Sequence, residues 1–202
     1  QVAVFCEDRS PASVVGAVAD LVDRADTGCQ ESMAGLVSDV ALTLLRKEAT
    51  WISAGLETAS FRSDDAADAA FGQFSLKERA KIERETVNRV NGRDRSERHG
   101  GSPDGEWGPG GRGVSRGISR GATATSQSTV AVVTLILCLN GKKIAPVKDR
   151  DSLRAALLAL GSDVLSTAEC LMTAEVMWTP EARGDVLLPE DVTLDFPALI
   201  PL

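Results

Sequence analysis

The run Thr129–Leu139, TVAVVTLILCL, is the longest nearly unbroken apolar stretch in the chain, and the turn pair Asn140-Gly141 follows it. A membrane-spanning helix needs about 20 apolar residues, so this run is too short to be one. Its β-branched content reads as a strand, and its lack of polar alternation as a central strand buried on both faces. Every other segment must cover this strand, flank it or interrupt it. A charge placed at Val133 or Leu135 should therefore unfold the domain.

Two segments carry the periodicity needed to cover such a strand. After a short apolar strand at Gln1–Cys6, Ser10-Pro11 reads as a helix start, and Val14, Val18, Leu21, Val22 and Ala25 recur at helical spacing up to Thr27-Gly28. Met33, Leu36, Val37, Val40, Ala41, Leu44 and Leu45 then form one continuous apolar stripe behind a Ser32 cap, so this second helix is expected to pack on the sheet. Trp51 and Ile52 extend the apolar surface beyond it, with Trp51 as a core plug.

Asp64-Asp65 introduces a short Ala-rich helix with Phe71 and Phe74 as its large anchors. Ser75-Leu76-Lys77-Glu78 has the form of a capping box, which predicts a separate charged helix to about Asn91. From Gly92 to Ser128 the composition changes: ten of the eighteen glycines fall here, with six arginines and few aliphatic side chains. Such a segment buries too little apolar area to offset ordering entropy, which predicts a disordered insertion. The repeats at Arg112-Gly113, Arg116-Gly117 and Arg120-Gly121 leave three readings open: a flexible insertion, an RNA or anionic-lipid contact through Arg112, Arg116 and Arg120, and a serine phosphorylation site.

Beyond the central strand, Asn140-Gly141 predicts a tight hairpin with a returning strand at Lys142–Val147. A helix follows from Asp149 to Leu160 with Gly161 at its end, then a strand at Met172–Trp178 closed by Thr179-Pro180. The tail holds a short helix from Pro189-Glu190 and an extended surface segment ending in PALIPL. The sum is an α+β domain: a small mixed sheet of about four strands, built from residues 1–91 and 129–202 and covered by amphipathic helices, with 92–128 inserted.

The residues hold little that resembles a catalytic centre. His99, the single histidine, lies in the glycine-rich insertion, away from any Ser or Cys partner expected in the core. Cys6, Cys29, Cys138 and Cys170 show no metal-binding spacing and read as small hydrophobes in a reducing compartment, with a redox pair as the alternative. Gly108-Pro109-Gly110-Gly111-Arg112-Gly113 matches a dinucleotide fingerprint by letters, but without the preceding strand and following helix. Glu169, Glu175 and Asp185 show no paired spacing, so no catalytic residue, cofactor or metal is expected. A net charge of -7 argues against general attraction to nucleic acid or anionic lipid. For a protein partner the candidates at the margin of the sheet are Trp178, Pro180 and Ile200. The start at Gln1, without Met or an apolar leader, reads as a mature or trimmed form whose anchor, if it has one, lies elsewhere.

Six segments taken together resemble the family known as domain of unknown function fifteen-seventeen, of cyanobacteria and plastids. They are ADTG at 25–28, ALTLLRKEATW at 41–51, FGQFSLKERAKIERETVNRVN at 71–91, VVTLIL at 132–137, LRAALLALG at 153–161 and AEVMWTPEARGD at 174–185. The resemblance implies a plastid protein attached to thylakoid or inner plastid membranes through a hydrophobic segment outside this chain, with the domain facing the stroma. It further implies binding to a photosynthetic membrane complex and a link to photoprotective energy dissipation under changing light. The family supplies no catalytic residues to carry over.

Overall fold

A computed structural model describes residues 1–26, 28–90, 93–94, 128–166, 170–181 and 185–202, with side chains left aside at 83–90, 93–94 and 163–166. The expected disordered insertion and His99 thus lie almost wholly outside the described residues, at 95–127.

The apolar run forms β5 (Thr129–Leu139), the second strand of a five-stranded sheet. Its neighbours are β1 (Val2–Cys6) on one side and β6 (Leu171–Thr179) on the other. β1 also pairs with β2 (Trp51–Ala54), and β2 with β7 (Ile200–Pro201), giving the order β6-β5-β1-β2-β7. Every pairing is antiparallel, so the α+β class holds with a sheet less mixed than expected. A two-residue ladder joins β3 (Arg89–Val90) to β4 (Arg93–Asp94) apart from this sheet.

Period-two alternation divides β5 between two cores. Ala131, Val133, Leu135 and Leu137 face α1 (Val14–Arg24), α2 (Gln30–Arg46) and α4 (Arg150–Ser166) together with Val2, Val4 and Val176. Val130 and Val132 face the other way, where Ala3, Leu187, Val192 and Phe196 close a smaller core under α5 (Pro189–Asp195). α3 (Asp64–Asn88) crosses β5 on that same second face. Thr129–Thr134 are all buried, as a strand covered on both sides requires.

Several elements depart from the sequence-based expectation. The Asn140-Gly141 hairpin is absent: Gly141 does adopt φ +69, but residues 142–148 form no strand. β6 pairs with β5 along Val132–Leu139 and takes one edge beside the turn, whereas β1 reaches only Thr129–Val133 on the other. The segment leads instead to α4, with Ile144 and Val147 against the main core and the Asn140 N–H donating to Cys170 O at 2.7 Å. α3 is one continuous helix, since the amides a Ser75 cap would serve already lie inside it. Gly161 lies within α4, where an added Cβ would stand 3.3 Å from Leu42 of α2 and where its carbonyl accepts from Ser38 Oγ at 2.8 Å. Trp51 opens strand β2 and donates its indole N–H to Leu44 O at 3.0 Å, satisfying one of the last carbonyls of α2. The tail's Ile200-Pro201 is a paired edge strand.

The start of α1 is set by Ser13, whose Oγ accepts from Gly16 N at 3.1 Å, one turn after the expected Ser10-Pro11. Gly16 faces the Ser10 carbonyl so closely that a Cβ there would stand 2.0 Å from the oxygen. Gly16→Ala is therefore expected to destabilise the domain by about 2 kcal/mol or more, because only backbone movement relieves the overlap. A urea midpoint equal to that of the parent chain would contradict this. α4 begins with a reciprocal cap: Ser152 N–H donates to Asp149 Oδ1 at 2.8 Å, and Asp149 N–H to Ser152 Oγ at 3.0 Å. The Ser152 hydroxyl, then its amide, holds the Asp149 carboxyl below its ordinary range. A carboxyl lowered on folding contributes stability that is present above its unfolded value, about 3.9, and lost as pH falls through the folded one. Asp149→Ala should thus lower the melting temperature at pH 7 by the modest amount usual for a helix cap, with the gap to the parent chain narrowing below about pH 4.

Candidate functional site

A cleft of about 490 Å³ runs along β6. Its floor is the consecutive run Leu171 to Val176, and successive strand residues point to opposite faces. The cleft therefore wraps the outer edge of the sheet instead of lying over one face.

One wall is apolar and comes from the first helical layer: Val22 of α1, and Met33 and Leu36 of α2. The turn between those helices is held by its own side chains. Asp26 Oδ1 accepts from Gly28 N at 3.0 Å, and the Asp26 N–H donates to Ser32 Oγ at 3.1 Å. Ser32 therefore braces the turn, whereas the expectation made it the helix cap; α2 begins at Gln30 after Cys29. The Gln30 side chain reaches across to donate its amide to Leu171 O. The opposite wall is Arg79 of α3, whose Nε donates to Glu175 Oε1 at 2.7 Å. Glu175 is the inner partner at 16 % side-chain exposure, against 62 % for Arg79. The cleft thus offers an apolar wall, a charged wall and a strand edge between them.

The sequence candidates are not gathered in this cleft. Trp178 is half-buried and packs on the main core, and Pro180 is buried after a cis Thr179–Pro180 bond. Ile200 is 37 % exposed on β7, at the far edge of the sheet from Trp178. Arg112, Arg116 and Arg120 lie outside the described residues, as does Glu169. Of the other carboxylates considered, Glu175 is in the cleft, and Asp185 contributes its carbonyl to Arg9 at 2.8 Å. Val22, Met33 and Leu36 were legible only as apolar helix positions. Their role in the cleft depends on the approach of β6, which no local pattern signals.

The four cysteines are free thiols. Burial pushes the Cys6 and Cys138 thiols up, and Cys138 Sγ lies 3.8 Å from Met172 Sδ. Reaction needs the thiolate and access to it. Exposed Cys29 should accordingly label rapidly with a maleimide in the folded protein, while Cys6 labels only on unfolding; mass spectrometry of timed digests would detect the reverse order. Among the described residues no group of three or more His, Cys, Asp or Glu side chains could hold a metal ion, and no helix is long and apolar enough to cross a membrane.

These features define a class: a layered α+β domain with a cleft laid along an edge strand. The chain belongs to the family described as protein of unknown function (DUF1517), whose profile matches residues 1–202. This is the family that the six sequence segments resemble. Protein FLAP1 homolog A of Synechocystis sp. is 30% identical over 182 residues, which is 89% of this chain and 50% of that protein. FLUCTUATING-LIGHT-ACCLIMATION protein 1, chloroplastic, of Arabidopsis thaliana is 28% identical over 184 residues, 90% of this chain and 41% of that protein. The chain therefore spans half or less of the length of these relatives. No solved structure matches it at a significant level.

Proposed function

We propose that this chain is a non-enzymatic accessory or regulatory domain that acts in acclimation to changing light by binding a photosynthetic membrane complex. The observation that carries this reading is the similarity, over about nine-tenths of the chain, to two proteins named for acclimation to fluctuating light or as homologues of one. The chloroplastic name of the plant relative supports a plastid or equivalent photosynthetic setting. In this reading the domain lies on the stromal side of the thylakoid, held by a segment outside these residues, and acts on photoprotective energy dissipation. The cleft beside β6 supports a binding role, since it combines apolar and charged walls around a strand edge.

The test is affinity capture from detergent-solubilised thylakoids with the full-length protein. The expected result is recovery of one membrane complex, enriched after a shift in light intensity. Recovery of none under either light regime would overturn the proposal. Removing residues 95–127 should leave capture unchanged. Loss of capture in that variant would instead favour an RNA or anionic-lipid contact through Arg112, Arg116 and Arg120.

A further inference from the structure

The two edges of the sheet are built differently. β7 is two residues long and ends in Pro201, which has no N–H to offer, so it presents little to a neighbouring chain. β6 is nine residues long, lacks proline, and has its one register irregularity at the Leu171 end. Its single charge, Glu175, is already engaged by Arg79. Edge strands in stable monomers are usually blunted by charge, proline, bulges or brevity, because an open row of N–H and C=O groups is a template for another strand. Among the described residues β6 has β5 as its one strand partner, and at its Leu171 end the Gln30 amide donates to the Leu171 carbonyl.

The cleft occupies that outer side. Six consecutive residues, Leu171 to Val176, form its floor and span about 20 Å of strand at about 3.3 Å each. With walls from both helical layers, the cleft is a slot in which an added strand can pair with β6 and place alternate side chains against Val22 and Met33 on one face and Arg79 on the other. We propose that the outer edge of β6 receives an extended basic segment of a partner protein, which adds to the sheet as a further strand. This rests on the binding role proposed above and names the kind of partner.

Charge decides between occupants. Asp23, Asp26 and Glu31 are exposed along the α1–α2 turn that borders the cleft, and the chain as a whole carries -7. A second copy is disfavoured by charge. Self-pairing through β6 would bring together two chains of net charge -7, each with Asp23, Asp26 and Glu31 exposed beside the same edge. A basic segment with apolar residues between its charges meets those acids instead, while Glu175 stays paired with Arg79. Main-chain pairing then supplies affinity and the slot supplies selection.

The probe is the capped heptapeptide acetyl-(Lys-Val)3-Lys-amide, titrated into the full chain and compared with its Glu-for-Lys counterpart and with a version N-methylated at alternate residues. The lysine peptide is expected to bind at least tenfold more tightly than either comparison peptide. It should also slow hydrogen exchange of amides between Thr173 and Met177. Glu175→Lys should weaken it at least tenfold with the circular dichroism spectrum unchanged; the N-methylated peptide tests pairing on the parent chain, free of any folding defect. Binding that survives N-methylation without protection of β6 amides would overturn the proposal in favour of surface charge alone. Self-association through β6 in sedimentation would overturn it in favour of a second copy. If membrane capture succeeds while no peptide binds, the β6 edge is wrong and the binding function stands. If the peptide binds β6 and capture fails, the edge stands and the photosynthetic partner falls.

Discussion

Val133→Asp is expected to yield no folded protein. Val133 is 1 % exposed, on the strand that joins the two segments of the sheet, with Val2 opposite it on β1 and Trp178 on β6. The substitution removes a buried aliphatic side chain, worth roughly 1.5–3 kcal/mol, and leaves a carboxyl with no partner in an apolar layer, a penalty of several kcal/mol more. The sum approaches the whole stability of a typical domain, about 5–15 kcal/mol. Loss of the sigmoidal urea transition, with expression confined to the insoluble fraction, is the expected outcome. Leu135→Asp, on the same face but half-buried, should be less severe. A soluble Val133→Asp chain with a parent-like transition would show that the core lies elsewhere.

The second large effect concerns the polar contact between α3 and the sheet. Glu78 accepts from Lys81 Nζ at 2.7 Å through both carboxylate oxygens, and from Gln1 Nε2 at 2.7 Å. The Gln1 amide also reaches Thr134 Oγ1 on β5 at 3.2 Å, and Lys81 lies over the Phe196 ring at 5.0 Å. The Lys81 and Glu78 side chains are only 14 % and 11 % exposed. Glu78→Ala leaves the Lys81 ammonium without its carboxylate and the Gln1 amide with Thr134 Oγ1 alone. Breaking a buried pair by removing one partner costs about 3–5 kcal/mol, and residual water contact puts this site near about 3. Glu78→Leu combined with Lys81→Met should recover most of that loss, since both charges leave together. Urea titrations at constant m-value check both arms. A shift in Glu78→Ala no larger than that of an exposed pair, under about 1 kcal/mol, would mean water enters freely beneath α3.

Which elements the sequence disclosed follows from the range of the forces that decide them. β5, α1, α2, α4 and β6 each carry a periodicity longer than one turn or one pleat, so their own side chains determine both element and buried face. β2 and β7, at four and two residues, are too short to carry a pattern; Trp51 and Ile200 are strand residues only because β1 and β2 supply ladders for them. The Asn140-Gly141 signal was locally sound, as the φ of Gly141 shows, yet turn chemistry cannot reveal that the distant strand β6 takes one edge of β5 beside the turn and that Ile144 and Val147 are drawn to the main core. The Ser75–Glu78 pattern failed for a related reason: the same residues fit a helix start or a helix interior, and the contact of Glu78 with Gln1 and Lys81 decides. The cleft was least legible of all, because four separate elements, α1, α2, α3 and β6, meet there. Trp178 and Pro180, chosen as partner-facing for their apolar character, are drawn inward by that same character.

The strand order also bears on when the domain can fold. β1 holds the third place of five, but its neighbour β5 enters the chain only after the Gly/Arg-rich insertion. Of the five-stranded sheet, a chain ending at Ser128 owns β1 and β2 alone, a two-stranded ribbon with the apolar stripe of α2 and no sheet broad enough to receive it. Non-local pairing of this kind delays folding until the last strands arrive. During synthesis the first half therefore leaves the ribosome before its sheet is complete, with the apolar stripe of α2 still uncovered until β5 and β6 follow.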